Sequence, residues 1–219
     1  MWARRELETL VLADNDLTSV SERLGELRAL RMLDLGHNQL ASLPDTLGQL
    51  AGLDFLYLHA NQLAALPGLA NLSRLRYLNV GDNALDGLPE WIGELVALRE
   101  LRAGGNRIAA LPASIGRLAA LRELHLSGNP LGALPESIGG LGELRELHLR
   151  DTRLRTVPAS IGRLARLRTL DLRGNPLVEL PDAIAVLPVL DKLDLRWVTT
   201  LRDPAWLAAL EARGCLVYR

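Results

Sequence analysis

Two copies of the hexapeptide LRELHL, at positions 121–126 and 144–149, carry the side chains of this chain that are best suited to chemistry. Each copy places a glutamate two residues before a histidine, so Glu123 and His125 recur as Glu146 and His148. A carboxylate beside an imidazole is suited to proton transfer, pH sensing or metal binding. Because neither pair has a cysteine or an oriented third ligand beside it in sequence, we expect no metal site.

Other candidates for catalysis are weaker. Cys215 has no histidine near it in sequence, and it lies in a predicted terminal strand where a small buried side chain is ordinary. The glycine-rich stretches AGGN and LSGN lack the Lys-Ser/Thr of a phosphate-binding loop. Glutamate and histidine on an open sheet also lack the closed pocket that catalysis uses. We expect a protein that is not an enzyme and needs no cofactor.

Composition limits the classes of partner and compartment. The chain has 219 residues, is 48% hydrophobic but only 4% aromatic, and has a net charge of -1, which argues against nucleic-acid binding as its main role. The single cysteine cannot form an internal disulfide, and neither a signal peptide nor an apolar run long enough to cross a bilayer is present. We therefore expect a soluble cytoplasmic protein that does not bind membranes. Its many arginines beside one lysine fit a GC-rich, bacterial genome.

The elements that position these side chains follow from a repeat. Asparagines recur 23 residues apart, except for one step of 22 and one double step in which Thr152 takes the place. Around them the pattern L-x-x-L-x-L-x-x-N-x-L-x-x-L-P continues as L-P-x-x-I-G-x-L, as in LRELHLSGNPLGALP and LPASIGRL. This pattern resembles the 23-residue intracellular class of leucine-rich repeats. The asparagines are Asn15, Asn38, Asn61, Asn83, Asn106, Asn129 and Asn175.

The resemblance implies an α/β leucine-rich repeat solenoid, a curved horseshoe with a parallel β-sheet on its concave face and short helical or 3₁₀ turns on its convex face. The residues give the same architecture, since leucines that alternate with polar residues predict a short strand with one buried face. The asparagine amides are expected to bond backbone groups in each turn and so form a ladder. Proline is expected to start each convex turn, and the glycine after isoleucine to end it in a left-handed conformation. At 66–75 one residue is missing, which predicts a local tightening with an intact strand.

We expect one domain over residues 1–219, with about nine units, of which 190–219 form a degenerate last unit and a cap. The stretch DPAWLAALEARG predicts a helix with Asp203 as N-cap, Pro204 at N1 and Gly214 at C′, followed by a closing strand over 215–219. The first unit begins near Met1 with no amphipathic segment before it. Either Trp2 and the polar residues of the first strand suffice there, or the exposed edge forms a homodimer, or the chain is part of a longer protein.

Positions between the leucines project from the concave face, which is the usual binding surface of the family. Two groups of candidate partner-binding residues lie there. The first is aromatic and apolar and has the composition of an interface hot spot, although exposed aromatic side chains also occur simply as stabilising cross-strand pairs. It comprises Met32, Phe55, Tyr57, His59 and Tyr77.

The second group is charged, and it could orient a charged partner or be only a self-neutralising solvated surface. It comprises Arg102, Glu123, His125, Glu146, His148, Arg150, Arg173 and Arg196, with Trp197 beside them. Arginines also recur just before each strand, where we expect them to pair with acids and to cover apolar surface.

The function we expect is the binding of a partner protein or peptide on the concave face, without catalysis. Leucine-rich repeats often stand beside ligase, kinase or GTPase domains, so the chain could instead be the substrate-recognition part of a larger enzyme. It could also be a bacterial effector that is exported without a cleaved signal peptide.

Overall fold

A computed structural model describes residues 6–219, and the role suggested for Trp2 falls outside them. Within this range, ten three-residue strands form one parallel sheet in which every strand pairs with the next in sequence. They are β1 (Thr9–Val11), β2 (Met32–Asp34), β3 (Phe55–Tyr57), β4 (Tyr77–Asn79), β5 (Glu100–Arg102), β6 (Glu123–His125), β7 (Glu146–His148), β8 (Thr169–Asp171), β9 (Lys192–Asp194) and β10 (Leu216–Tyr218). The predicted solenoid is confirmed.

The opposite side of the solenoid is built from short 3₁₀ helices, the first of which begins after Ser21 and the others after the proline of their repeat. In the described part of the chain they are Glu22–Glu26, Asp45–Gln49, Glu90–Glu94, Ala113–Arg117, Glu136–Gly140, Ala159–Arg163 and Asp182–Ile184. The segment at 66–75, which connects β3 to β4, forms no such helix. The two strands still pair in register. The intact strand is therefore confirmed, and the segment with the missing residue forms turns in place of a 3₁₀ helix.

Leucine side chains fill the space between these two layers. The central residue of β2 to β9 is a leucine with no exposed surface, and the leucines of the turns pack against them in one continuous cluster. Each repeat alone would leave much of this apolar surface exposed, so the stacking of neighbours is what makes the core. Cys215 belongs to the same cluster, and burial raises the pKa of its thiol, so it is a core side chain as expected.

The asparagine ladder is present. The Asn38 amide donates to the carbonyl oxygens of Leu12, Leu35 and Gly36 at 2.9 to 3.0 Å, and its oxygen accepts from the Leu17 backbone N–H at 3.1 Å. From Asn38 onward, each asparagine of the motif therefore satisfies backbone groups of its own repeat and of the preceding one. At Thr152 the ladder changes, because the hydroxyl donates to Leu149 O, and the Leu131 N–H bonds to Asn129 O instead of to a side chain.

The role expected for the convex glycines is wrong. Gly93 and its equivalents do not adopt left-handed backbone conformations, and in these repeats the leucine two residues after the glycine is the C-cap of the 3₁₀ helix. A Cβ at Gly93 would lie 2.6 Å from the Ser114 carbonyl oxygen, so glycine is required here by the close approach of the next repeat. The prolines also differ from expectation, since Pro89 and its equivalents occupy the N-cap position in an extended conformation.

The C-terminal cap is partly as predicted. Strand β10 pairs with β9, and Gly214 follows the helix with a φ of 92°. The helix, α1, spans only Leu207–Ala212 with Trp206 at its N-cap, so Asp203 is not the N-cap and Pro204 is not the first helical residue. The Leu207 N–H bonds to Pro204 O and makes a turn first, while the Asp203 carboxylate accepts a hydrogen bond from Arg219 instead.

Candidate functional site

The predicted site residues lie along the exposed face of the sheet and at the carboxyl ends of its strands. The strand register aligns Met32, Phe55 and Tyr77 in one row, and Arg102, His125 and His148 in another. Because neighbouring strands are about 4.8 Å apart, side chains in one row are near enough to touch. The sheet thus brings together residues that are more than 20 positions apart in sequence.

Met32, Phe55, Tyr57, His59 and Tyr77 form the aromatic cluster. The rings of Tyr57 and Tyr77 lie 4.8 Å apart and those of Tyr57 and His59 lie 6.4 Å apart. Phe55 keeps 40% of its surface exposed, and the other members are half-buried. Burial raises the pKa of both tyrosines, so their hydroxyls are neutral at pH 7 and can donate hydrogen bonds. The cluster is a contiguous exposed apolar surface with polar tips.

The charged group begins beside the aromatic cluster. His125 and His148 stack with ring centroids 4.4 Å apart and an angle of only 7° between their planes. Within each strand the imidazole Nε2 lies close to the glutamate two residues earlier, at 3.2 Å in the Glu123–His125 pair and 3.0 Å in the Glu146–His148 pair. The two copies of LRELHL are therefore two stacked acid–imidazole pairs.

The environments of the two histidines differ. The nearby Asp171 carboxylate is the main cause that raises the pKa of His148, against the effect of burial, and Glu146 adds to it. Burial and the neighbouring His148 charge lower the pKa of His125, although Glu123 opposes them. Burial alone would raise the pKa of Asp171, but the His148 and Arg173 side chains outweigh it and hold this pKa well below its usual range. The stack therefore favours one positive charge, on His148.

Beyond the histidines, buried aspartates organise the arginines. Asp194 has no exposed surface, and its carboxylate lies 2.8 Å from the Arg196 guanidinium and 3.6 Å from that of Arg173. Arg173 also bonds to Asp171 at 2.6 Å. Since a buried carboxylate requires a partner, these two arginines are held in place by the acids beneath them.

Trp197 stands at the carboxyl end of β9, and 63% of its surface is exposed. The guanidinium carbons of Arg150 and Arg196 lie 5.2 and 5.9 Å from its ring centroid. Its φ of 63° is in the left-handed region, where a bulky side chain is uncommon and where the equivalent residues include Gly105, Gly128 and Gly174. A strained, exposed tryptophan between two arginines is consistent with the binding role expected for it.

A hollow of about 360 Å³ lies where the aromatic cluster and the charged group meet. Its wall includes His59, Arg102 and His125, and its lining also contains residues that the sequence analysis did not single out: Asn79, Gly81, Asp82, Gly104, Gly105 and Ser127. The signal was present in the seventh position of the repeat, where Gly81, Gly104 and Ser127 stand in succession between His59 and Arg150. Small residues there leave space that larger ones would fill.

Glu100, Glu123 and His125 come nearest to a metal-binding arrangement in the described part of the chain, with ligand atoms within 4.8 Å of one another. Two carboxylates and one imidazole could hold a divalent ion. Both carboxylates already have a cationic or imidazole partner, Arg102 for Glu100 and His125 for Glu123.

No helix in residues 6–219 is long and apolar enough to cross a bilayer.

Comparison with known families agrees with this geometry. The family described as "Leucine rich repeat" matches residues 5–63 and 142–197, and that described as "Leucine-rich repeat region" matches residues 59–148. The chain belongs to the leucine-rich repeat family. A comparison with curated protein sequences gave no significant match.

Solved leucine-rich repeat structures resemble the chain over most of its length. The leucine-rich repeat domain of the type III effector XopL is 34% identical with a TM-score of 0.85, over 99% of this chain and 78% of that one. A leucine-rich repeat protein of Leptospira interrogans is 32% identical with a TM-score of 0.74, over 96% of this chain and 60% of that one. The Arabidopsis receptor kinase HAESA, solved with the peptide hormone IDA and the co-receptor SERK1, is 29% identical with a TM-score of 0.75, over 90% of this chain and 37% of that one.

Proposed function

We propose that the exposed face of the sheet binds an extended segment of a partner protein or peptide and performs no chemistry on it. The observation that carries this proposal is the aromatic cluster, which lies directly beside the 360 Å³ hollow. Exposed aromatic side chains next to a cavity are typical of interface anchors, because a partner side chain can be buried between them. The similar fold of HAESA, whose structure contains a peptide hormone, supports the proposal.

In this proposal the charged group fixes the direction and register of the bound segment. Arg102 and His125 line the hollow, while His148, Arg150 and Trp197 continue the surface toward the last repeats. Arg102, His148 and Arg150 are already paired with acidic side chains of the protein. A partner must therefore match a pattern of positive and negative charges rather than a surface of one sign. Charges that are paired in this way add specificity more than affinity.

Selection from a library of random peptides displayed on phage tests the proposal without requiring the natural partner. The variants are Phe55→Ala with Tyr57→Ala, and a matched pair of Val96→Ala with Val186→Ala. The control valines are 56% and 69% exposed and lie outside the strands. Peptides selected on the native protein are then synthesised with a fluorophore, and their affinity for each protein is measured by fluorescence anisotropy.

We expect the Phe55/Tyr57 variant to bind the selected peptides at least about tenfold more weakly, as is typical of the loss of interface anchors. The valine control should bind them with nearly native affinity, and both variants should unfold close to the temperature of the native protein. Peptides that bind all three proteins equally would show that the anchor is not the aromatic cluster. A large loss of stability in the Phe55/Tyr57 variant would show that these rings belong to the core.

A second candidate function is favoured by the length of the relatives. The chain spans only 60% of the Leptospira protein and 37% of HAESA, so similar repeats occur as parts of longer proteins. The chain would then be the recognition part of an enzyme or, as the likeness to the XopL domain suggests, of an effector. Mass spectrometry of the protein isolated from its native cells distinguishes the two, because the recognition part of an enzyme would be recovered within a longer chain or together with a catalytic subunit.

We also propose that the protein acts in a reducing compartment. A single cysteine with a buried thiol suits the reducing cytoplasm, either of the producing cell or of a cell that receives the protein as an effector.

A further inference from the structure

The edge of the sheet at which the strands begin carries one charged residue from each repeat. The Arg122 backbone N–H bonds to Arg99 O at 2.7 Å, and the Arg145 N–H bonds to Arg122 O at 2.8 Å. These residues are therefore neighbours across successive strands, at the strand spacing of about 4.8 Å. In chain order the positions are Glu8, Arg31, Asp54, Arg76, Arg99, Arg122, Arg145, Arg168 and Asp191.

Acids neutralise both ends of this row. Asp54 is almost completely buried, and its carboxylate lies 2.6 Å from the Arg31 guanidinium and 3.7 Å from that of Arg76. Asp191 pairs with Arg168 at 2.8 Å. Two aspartates thus occupy this position of the repeat, and together they pair with three arginines of the row.

The middle of the row is different. Arg99, Arg122 and Arg145 are exposed, and within residues 6–219 their side chains have no ion pair and no hydrogen bond. The glutamates that follow them in sequence do not serve as partners, because Glu100 pairs with Arg102, and Glu123 and Glu146 pair with histidines. Three adjacent guanidinium groups without counter-charges repel one another. The expectation that these arginines pair with acids is therefore correct only at the ends of the row.

Arg145, the last of the three unpaired arginines, lies at a cavity. A shallow cavity of about 260 Å³ is lined by Arg145, Arg166 and Arg168, together with Ala165 and Val189. Arg166 and Arg168 carry their own acids, Glu143 and Asp191, whereas Arg145 does not. An anionic side chain entering this cavity would meet one unpaired guanidinium over a small apolar surface.

We propose that Arg99, Arg122 and Arg145 bind an acidic peptide segment, with one of its carboxylates or the residue beside it in the cavity at Arg145. Guanidinium groups bind carboxylates through paired hydrogen bonds, and the spacing of the row suits an extended chain. The chain has a net charge of -1, and the row Glu100, Glu123 and Glu146 borders the arginines on the sheet face. This arrangement disfavours the continuous phosphates of a nucleic acid but tolerates separated carboxylates. The site does not depend on the aromatic cluster.

Fluorescence anisotropy with a fluorescein-labelled hexaglutamate peptide tests this inference on the full chain. The site variant is Arg99→Gln with Arg122→Gln and Arg145→Gln. The control variant, Arg107→Gln with Arg117→Gln and Arg163→Gln, removes the same charge from exposed positions outside the row, two of them at the ends of 3₁₀ helices. Titrations at roughly 20 mM salt limit screening, and inorganic phosphate and a hexamer of single-stranded RNA serve as competitors.

We expect the site variant to bind hexaglutamate at least about tenfold more weakly than the native protein, because three charge-assisted contacts are lost. The control variant should stay within about twofold of the native affinity, since its arginines lie outside the row and make no direct contact with the peptide. Equal binding by all three proteins, or no binding by the native protein, would overturn the proposal. Tighter binding of RNA with the same dependence on Arg99, Arg122 and Arg145 would overturn the assignment to a peptide, and full displacement by millimolar phosphate would reduce the site to one for small anions.

Discussion

His125 and His148 occupy the same position in neighbouring repeats, yet their surroundings move their pKa values in opposite directions. Asp171 and Glu146 favour the charged form of His148, whereas burial and the charge of His148 favour the neutral form of His125. Identical hexapeptides therefore acquire different chemistry because the next repeat supplies Asp171 to only one of them. At this scale, contacts between repeats decide the properties of the side chain.

An NMR titration of the imidazole signals tests this difference. We expect His148 to titrate above the ordinary histidine pKa of about 6.5 and His125 below it. A raised pKa in the folded protein means that the contribution of His148 to stability is complete below about pH 6.5 and is lost as the pH rises through its folded pKa. Asp171→Asn should lower the pKa of His148. A common pKa for both histidines, or the reverse order, would contradict the proposed roles of Asp171 and burial.

At the scale of the structural element, the asparagine ladder connects one repeat to the next. Asn129 is 1% exposed, donates to the carbonyl oxygens of Ala103 and Leu126 and accepts from the Ile108 N–H. Asn15 is exposed and donates only to the carbonyls of its own turn, at Leu12 and Ala13. The same residue in the same motif thus has different structural importance according to its place in the stack.

Urea unfolding of two alanine variants measures that importance. Asn129→Ala should lower the free energy of unfolding by about 1–3 kcal/mol, because it leaves buried backbone groups without partners. Asn15→Ala is the matched control and should cost clearly less, since water can replace its bonds. Equal losses from the two substitutions would mean that contacts between repeats do not account for the role of the ladder.

At the scale of the whole molecule, the two outer strands have different surroundings. Strand β10 follows helix α1, which packs Leu207 and Leu210 into the core. Strand β1 pairs with β2 through bonds such as Leu12 N–H to Asp34 O at 2.7 Å. Because successive backbone groups in a strand point to opposite sides, those of Val11 point away from β2. The homodimer suggested by the sequence stays a prediction, and this edge is where it would form.

Light scattering after size-exclusion chromatography tests that prediction. We expect the mass to rise from that of a monomer toward that of a dimer with increasing concentration. Val11→Pro removes an outward N–H without disturbing the bonds to β2, so it should stay monomeric. The control is Val11→Thr, which keeps the backbone donor and should dimerise. A monomeric mass at every concentration would exclude the dimer.

The repeat, the strand positions, the asparagine ladder and the rows of exposed side chains could all be predicted from the amino-acid sequence. These features depend on the spacing of leucines and asparagines, and that spacing determines the stacking wherever one repeat must bury its surface against the next. Phe55, Tyr57 and Tyr77 could be assigned to one surface for this reason.

Features that depend on distances between repeats could be found only in the tertiary structure. The requirement for Gly93 comes from the Ser114 carbonyl, and the arginines near β8 and β9 are held by the buried Asp171 and Asp194. The hollow beside His59 and the unpaired state of Arg122 likewise reflect what neighbouring repeats place nearby. Periodicity in a sequence specifies which residues are aligned, but the distances, angles and charge pairing of aligned side chains arise only when the repeats stack.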